Sequence, residues 1–158
     1  MITHHQINKF LKNFRVTSLL VVLVFTSIIM FSSCKKDKKY DAIPYAYVNI
    51  FLDPNGTMYQ NLNNVGGYEY LTADEPSRGI IVYRVSMDEF RAYERTCPYD
   101  PLADCSRIQV EPSGITCIDS CCMSRFILLD GSPFSGPSTL SMKQYQTYYN
   151  GSLLHIFN

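Results

Sequence analysis

The sequence predicts an all-β domain built from about nine short strands. Three observations lead there. The chain holds 12 Tyr and 9 Phe but no Trp, and aromatic residues suit the pleated, half-buried surface of a sheet. Its apolar runs are short and separated by Gly, Asn, Asp and Pro, which supply the backbone angles that turns need. The first run alternates, with Val48, Ile50 and Leu52 on one face, the period of a strand buried on one side.

A length of 158 residues suits one domain with a modest core. Formal charge balances at 14 basic and 14 acidic residues, yet Lys9, Lys12 and Arg15 belong to a leader. The remainder is mildly acidic, which argues against nucleic acid as a partner.

The leader comes first in the chain. Its three basic residues precede the run VTSLLVVLVFTSIIMF at 16–31, an n-region followed by an h-region. About sixteen residues make a helix of roughly 24 Å, short of a ~30 Å hydrocarbon core. Phe31-Ser32-Ser33-Cys34 follows at once. It resembles the bacterial lipobox, with Phe31 where Leu is usual. The resemblance implies that residues 1–33 are a signal peptide, that Cys34 is lipidated on its thiol, and that the mature protein is tethered to a lipid bilayer. Acyl chains contribute about 0.8 kcal/mol per buried CH₂, enough for several chains to hold a protein without a spanning helix. Residues 34–41, CKKDKKYD, are too polar to fold and read as a flexible charged tether. This stretch is basic where surface-sorted lipoproteins carry acidic residues, so the expected location is the cell envelope, in the inner or outer membrane, facing the periplasm.

The folded domain then spans 42–158. Residues 44–53 form a first strand closed by Asp53-Pro54-Asn55-Gly56, a turn sequence. Strands follow at 68–71, after Gly66-Gly67, and at 79–84, the run GIIVYR. Ser86-Met87-Asp88-Glu89 reads as one helical turn capped by Ser86, before a strand at 90–96. Residues 108–111 and 115–118 flank Pro112-Ser113-Gly114 as a hairpin. At the C-terminus 145–149 and 153–157 flank Asn150-Gly151, a dipeptide suited to a type I′ turn because both positions need positive φ. In QYQTYY at 144–149, alternate tyrosines are expected to pack inward and the others to face out.

Cys97, Cys105, Cys117, Cys121 and Cys122 crowd together. In an oxidising compartment that density reads as a disulfide staple with one thiol left over. The spacings leave the pairing open, including exchange between the adjacent Cys121 and Cys122. No Cys-x-x-Cys is present, since three residues separate Cys117 from Cys121. Beyond the leader the single histidine is His155, in the last strand, where a packed role outweighs that of a base for Cys117. Asp100, Asp104 and Asp119 are loop acids of the solvated kind rather than a calcium site. No catalytic constellation emerges, so an enzyme is not expected.

Cys97-Pro98-Tyr99 begins one loop, and Asp119-Ser120-Cys121-Cys122-Met123-Ser124 forms a second, followed by Gly131 and Gly136-Pro137. From about residue 46 to 157 this arrangement resembles the Rieske iron-sulfur domain, and most nearly the degenerate Rieske-like lipoproteins of the Bacteroidetes type. The family's two loops grip a two-iron cluster, a disulfide ties them, and a Gly-Pro loop shields the site. The resemblance implies a small antiparallel β-sandwich or barrel with two cysteine loops, in which Cys97 is the first ligand cysteine and Cys105 and Cys121 form the disulfide. Gly136 and Pro137 take the place of the shielding loop. Three of the four ligand positions depart from the pattern: Tyr99 and Cys122 stand where the histidines belong, and Asp119 where the second cysteine belongs. A Rieske centre needs two imidazoles on one iron, so no cluster and no cofactor is expected. The resemblance further implies that Cys97 and Cys122, facing each other where the metal would sit, form a second disulfide. Cys117 is then the odd thiol. The leading expectation is a non-enzymatic binding or structural lipoprotein with no specified protein or glycan partner. The alternative is a redox or metal-binding protein holding an iron-sulfur cluster or zinc on Cys97, Cys105, Cys121 and Cys122.

Overall fold

A computed structural model describes residues 43–158. The expected signal peptide, Cys34 and the expected tether at 34–41 lie outside the described residues. No described helix is long and apolar enough to cross a membrane.

The domain is all-β and antiparallel, apart from one 3₁₀ segment, and it has ten strands. These are β1 (Asn49–Leu52), β2 (Tyr68–Leu71), β3 (Ile80–Arg84), β4 (Phe90–Glu94), β5 (Ile108–Val110), β6 (Thr116–Asp119), β7 (Arg125–Ile127), β8 (Pro133–Ser135), β9 (Gln144–Tyr149) and β10 (Leu154–Phe157). One sheet has the order β1-β10-β9-β4-β3-β2 and the other β5-β6-β7-β8. The smaller sheet is an insertion between β4 and β9, which are neighbours in the larger one. Its strands leave and return at that seam.

Two apolar clusters explain the layers. Val48, Leu52, Leu154 and Ile156, from one edge of the large sheet, pack with Leu71, Ile80 and Val82 from the other, together with Tyr145. A sheet whose two edges share one core has curled on itself. The second cluster joins Ile81 and Tyr93, on the opposite face of β3 and β4, to Ile108, Cys117, Phe126, Leu128 and Met142 of the inserted unit. Strand β3 is therefore apolar on both faces, which accounts for the unbroken run at 80–82.

Most of the expected strands are present, with corrections at the turns. Residues 86–89 make no helical turn. They bend through the β3-β4 hairpin, where Glu89 O accepts from Val85 N and Ser86 N. The Arg84 guanidinium takes the Ser86 and Met87 carbonyls, so these oxygens serve a side chain and not a helix. The last hairpin is not the two-residue type I′ form. Tyr149 pairs with Leu154, and Asn150 Oδ1 accepts from Ser152 N and Leu153 N at 2.9 and 2.7 Å. Among the turn residues only Gly151 has positive φ, because the Asn150 side chain supplies the closure that a second left-handed residue would otherwise provide. Strands β7 and β8 and the 3₁₀ segment Thr57–Asn63, which buries Leu62, have no counterpart in the expected elements. The tyrosine stripe divides as expected: Tyr145 is buried, Tyr149 packs on the core and Tyr148 is exposed.

Candidate functional site

Both cysteine loops belong to the inserted unit. The first follows β4 and is held at its ends by backbone bonds, Arg95 N to Gly79 O at 2.9 Å and Ile108 N to Arg95 O at 2.7 Å. Inside it Cys97 N donates to the buried Ser106 Oγ. The second loop is the β6-β7 turn, closed by Asp119 N to Ser124 O and Met123 N to Asp119 O, with Met123 at φ 62°. A segment containing Gly136 lies across it. A Cβ at Gly136 would meet Ser124 Cα at 2.5 Å and Met123 O at 2.6 Å, and its φ is +88°. Glycine alone permits so close an approach of one backbone to another.

The loops meet through sulfur and carboxylate. Cys105 and Cys121 form a disulfide with a Cα separation of 5.4 Å. The expected bond between Cys97 and Cys122 is not formed. Their sulfurs are 3.5 Å apart, whereas a disulfide needs about 2.05 Å. The Cys122 sulfur also sits 3.0 Å from Asp119 Oδ2 and 3.0 Å from Ser124 Oγ. Its one proton best serves the carboxylate, the stronger acceptor. Asp119 Oδ1 accepts from Arg107 N and Cys121 N, and Ser124 Oγ accepts from Ser138 N. Asp119 thus bridges both loops although it is almost fully buried. Burial pushes the Cys97 thiol far above the ordinary cysteine range, and Cys122 and Asp119 push the same way. Free Cys97 is a thiol and a poor nucleophile.

Of the four positions corresponding to cluster ligands, three come together. The Sγ of Cys97, the Sγ of Cys122 and a carboxylate oxygen of Asp119 all lie within 4.8 Å of one another. Tyr99 is 54% exposed and is not one of the three. The tetrathiolate alternative is corrected as well, since Cys105 and Cys121 are consumed by their disulfide. Cys117 lies on β6 inside the second core cluster, where burial, with Glu111 adding to it, raises its pKa to about 12. It is a packed apolar thiol. His155 stacks between Phe51 and Phe157, at 4.0 and 4.5 Å, and its Nε2 bonds Asn49 Oδ1. Its place is in the β1-β10 edge, paired with Phe51 and Tyr148, and not in either cysteine loop.

A Rieske cluster does not fit these residues. It needs two imidazoles on one iron, and the one described histidine is already engaged elsewhere. The donors that do converge, Cys97, Cys122 and Asp119, are three where a two-iron cluster takes four. Ser106 and Ser138, which help organise the loops, carry no signal in the sequence beyond lying near the cysteines, whereas Ser124 belongs to the second-loop run that carries the resemblance.

No protein-family model matches the chain, and no curated protein matches it. Among solved structures it is similar to a chain of the "complex of reduced oxygenase and oxidized ferredoxin in carbazole 1,9a-dioxygenase", with 18% identity and a TM-score of 0.45, covering 72% of this chain and 94% of that one.

Proposed function

We propose that this chain is an envelope lipoprotein, anchored through Cys34 and facing the periplasm, whose Rieske-like domain has a non-enzymatic binding or structural role and no iron-sulfur cluster. One observation carries the cluster-free reading: the donors that converge where the loops meet are Cys97, Cys122 and Asp119, and the one described imidazole, His155, is bonded to Asn49 away from them. The thiol contact, the Asp119 bridge and the Cys105–Cys121 disulfide take over the tie between loops that a cluster would make.

A second reading is favoured by the convergence of Cys97, Cys122 and Asp119. Two thiolates and a carboxylate are a donor set for a single zinc ion with one position open. Metal analysis of the purified chain separates the two. After anaerobic incubation with iron and sulfide the expected result is neither the visible absorption nor the electron paramagnetic resonance of a two-iron cluster, and no stoichiometric zinc in protein taken from the envelope. A stoichiometric cluster signal overturns the cluster-free reading, and stoichiometric zinc removed by Cys97→Ser establishes the second.

The anchor is tested separately. Cys34→Ser is expected to leave an unprocessed precursor that incorporates no labelled fatty acid. Labelling at the wild-type level in this variant would remove the lipoprotein assignment.

A further inference from the structure

A cavity of about 460 Å³ opens beside the first cysteine loop, lined by Tyr70 and Leu71 of β2, by Glu75, Arg78 and Gly79 of the β2-β3 connection, and by Arg95 and Arg107. The volume is within the range of small-molecule sites, about 300–1,000 Å³. Three guanidinium groups and one carboxylate border it. Among the described residues none of these arginines makes a salt bridge, the two ion pairs being Arg91 with Glu89 and Arg125 with Glu111.

Arg95 is the telling residue. It is 8% exposed, yet forms no salt bridge with a described carboxylate, and Glu94 offsets its charge only at a distance, by less than burial and Arg107 oppose it. Its guanidinium lies 4.1 Å over the Tyr70 ring, and Nε donates to Ile108 O at 3.0 Å. Those contacts fix the plane of the group and offset its charge only in part. Neither terminal nitrogen bonds a described residue, and neither is sealed from solvent, since no buried side-chain nitrogen lacks a partner. Arg95 lines the cavity beside Gly79, where a Cβ would come within 3.8 Å of its Nη1. Glu94 is adjacent in sequence, but its oxygens are already taken by Ser77, Arg78 N, Thr96 and Tyr145. Arg107 stands near enough to lower the Arg95 pKa, after the larger effect of burial. Placing two cations together without an anion costs free energy.

The wall is also held rigid in advance. Arg78 N is tied to Glu94 Oε1 at 3.0 Å, and its guanidinium donates to the Ala103 and Asp104 carbonyls at 2.8 and 2.7 Å. The β2-β3 connection and the first cysteine loop are thereby clamped to each other across the cavity. We infer that this cavity binds a small ligand through an oxyanion, a carboxylate or a phosphoryl group, received by the forked donors of Arg95 with Arg107 and Arg78 as its charge partners. A planar guanidinium with free terminal donors suits such a group. The inference is independent of what the cysteine site holds.

Calorimetric titration of the full chain at constant ionic strength, with inorganic phosphate in one arm and citrate in the other, tests it. Saturable binding of at least one probe is expected. Saturation by phosphate alone marks a phosphoryl site, and by citrate alone a carboxylate site. The exposed Arg107 can be changed without disturbing the core, and Arg107→Gln should weaken binding by about ten-fold or more. Arg91→Gln, which removes an arginine outside the cavity, should leave affinity at the wild-type value. The inference is overturned if neither probe saturates, or if Arg107→Gln binds as tightly as the wild type.

Discussion

Glu94→Ala destabilises the domain by about 3 kcal/mol or more in urea unfolding at neutral pH, the expected result of stripping a buried acceptor from several donors at once. The Glu94 carboxylate is 1% exposed. It accepts from Ser77 Oγ at 2.6 Å, Arg78 N at 3.0 Å, Thr96 N at 3.0 Å, Thr96 Oγ1 at 2.8 Å and Tyr145 Oη at 2.6 Å. These donors come from the β2-β3 connection, from the start of the first cysteine loop and from β9. One side chain therefore joins the large sheet to the inserted unit. Alanine leaves Arg78 N, Thr96 and Tyr145 Oη without this acceptor, and Ser77 Oγ with only a long bond to Gly79 O at 3.5 Å. Glu94→Gln keeps the shape and one acceptor oxygen, and its loss should be about half as large.

Acid sensitivity follows with a definite sign. Burial alone would raise the Glu94 pKa, but the hydrogen bonds from Ser77, Tyr145, Arg78 and Thr96 together outweigh it and hold the carboxyl below the usual glutamate range. A carboxyl depressed in the folded state stabilises above its unfolded pKa, about 4.3, and that stability is lost as pH falls through the lower folded value. Wild-type stability should fall below about pH 4.3 more steeply than that of Glu94→Gln. Parallel acid curves for the two proteins would show that Glu94 is not ionised in the native state.

Joint replacement of Cys105 and Cys121 by Ser should cost about 3 kcal/mol and lower the melting temperature by on the order of 10 °C. The two cysteines are 16 residues apart in sequence, so their bond closes a short loop of the unfolded chain. Both are exposed, and serine in their place opens no cavity. The loss measured is then that of the restraint and not of packing. An unchanged melting temperature in the double variant would mean that the hydrogen bonds of Asp119 and Ser106 hold the loops without the disulfide.

Strand periodicity made much of the large sheet legible. Val48, Ile50 and Leu52 point inward as their alternation requires, and the 80–82 run is buried on both faces. Tyr145 and Tyr148 separate by side of the strand because a period of two leaves no other choice. Strands β7 and β8 were not legible: each is three residues long, and such a segment is a strand only because a neighbour offers it a ladder. The turn at 150–153 went differently from its dipeptide signal because one asparagine oxygen could satisfy two amides.

By itself the sequence determined the all-β class, the amphipathic strands, the crowding of five cysteines and the lack of histidine near them, since composition and period are local properties. The resemblance already implied that Cys105 pairs with Cys121 and that Cys97 faces Cys122; tertiary structure alone decided that the last two stay unbonded, that Asp119 joins them while Tyr99 stays outside, that Glu94 ties three segments together, and that Arg78, Arg95 and Arg107 share one cavity. Several of those partners come from different segments, as Cys97 and Cys122 or Glu94 and Tyr145 do, and no period or spacing encodes the distance between them. They are set by how the inserted sheet folds back onto β3 and β4, which is a matter of packing the second core and not of any residue's own preference.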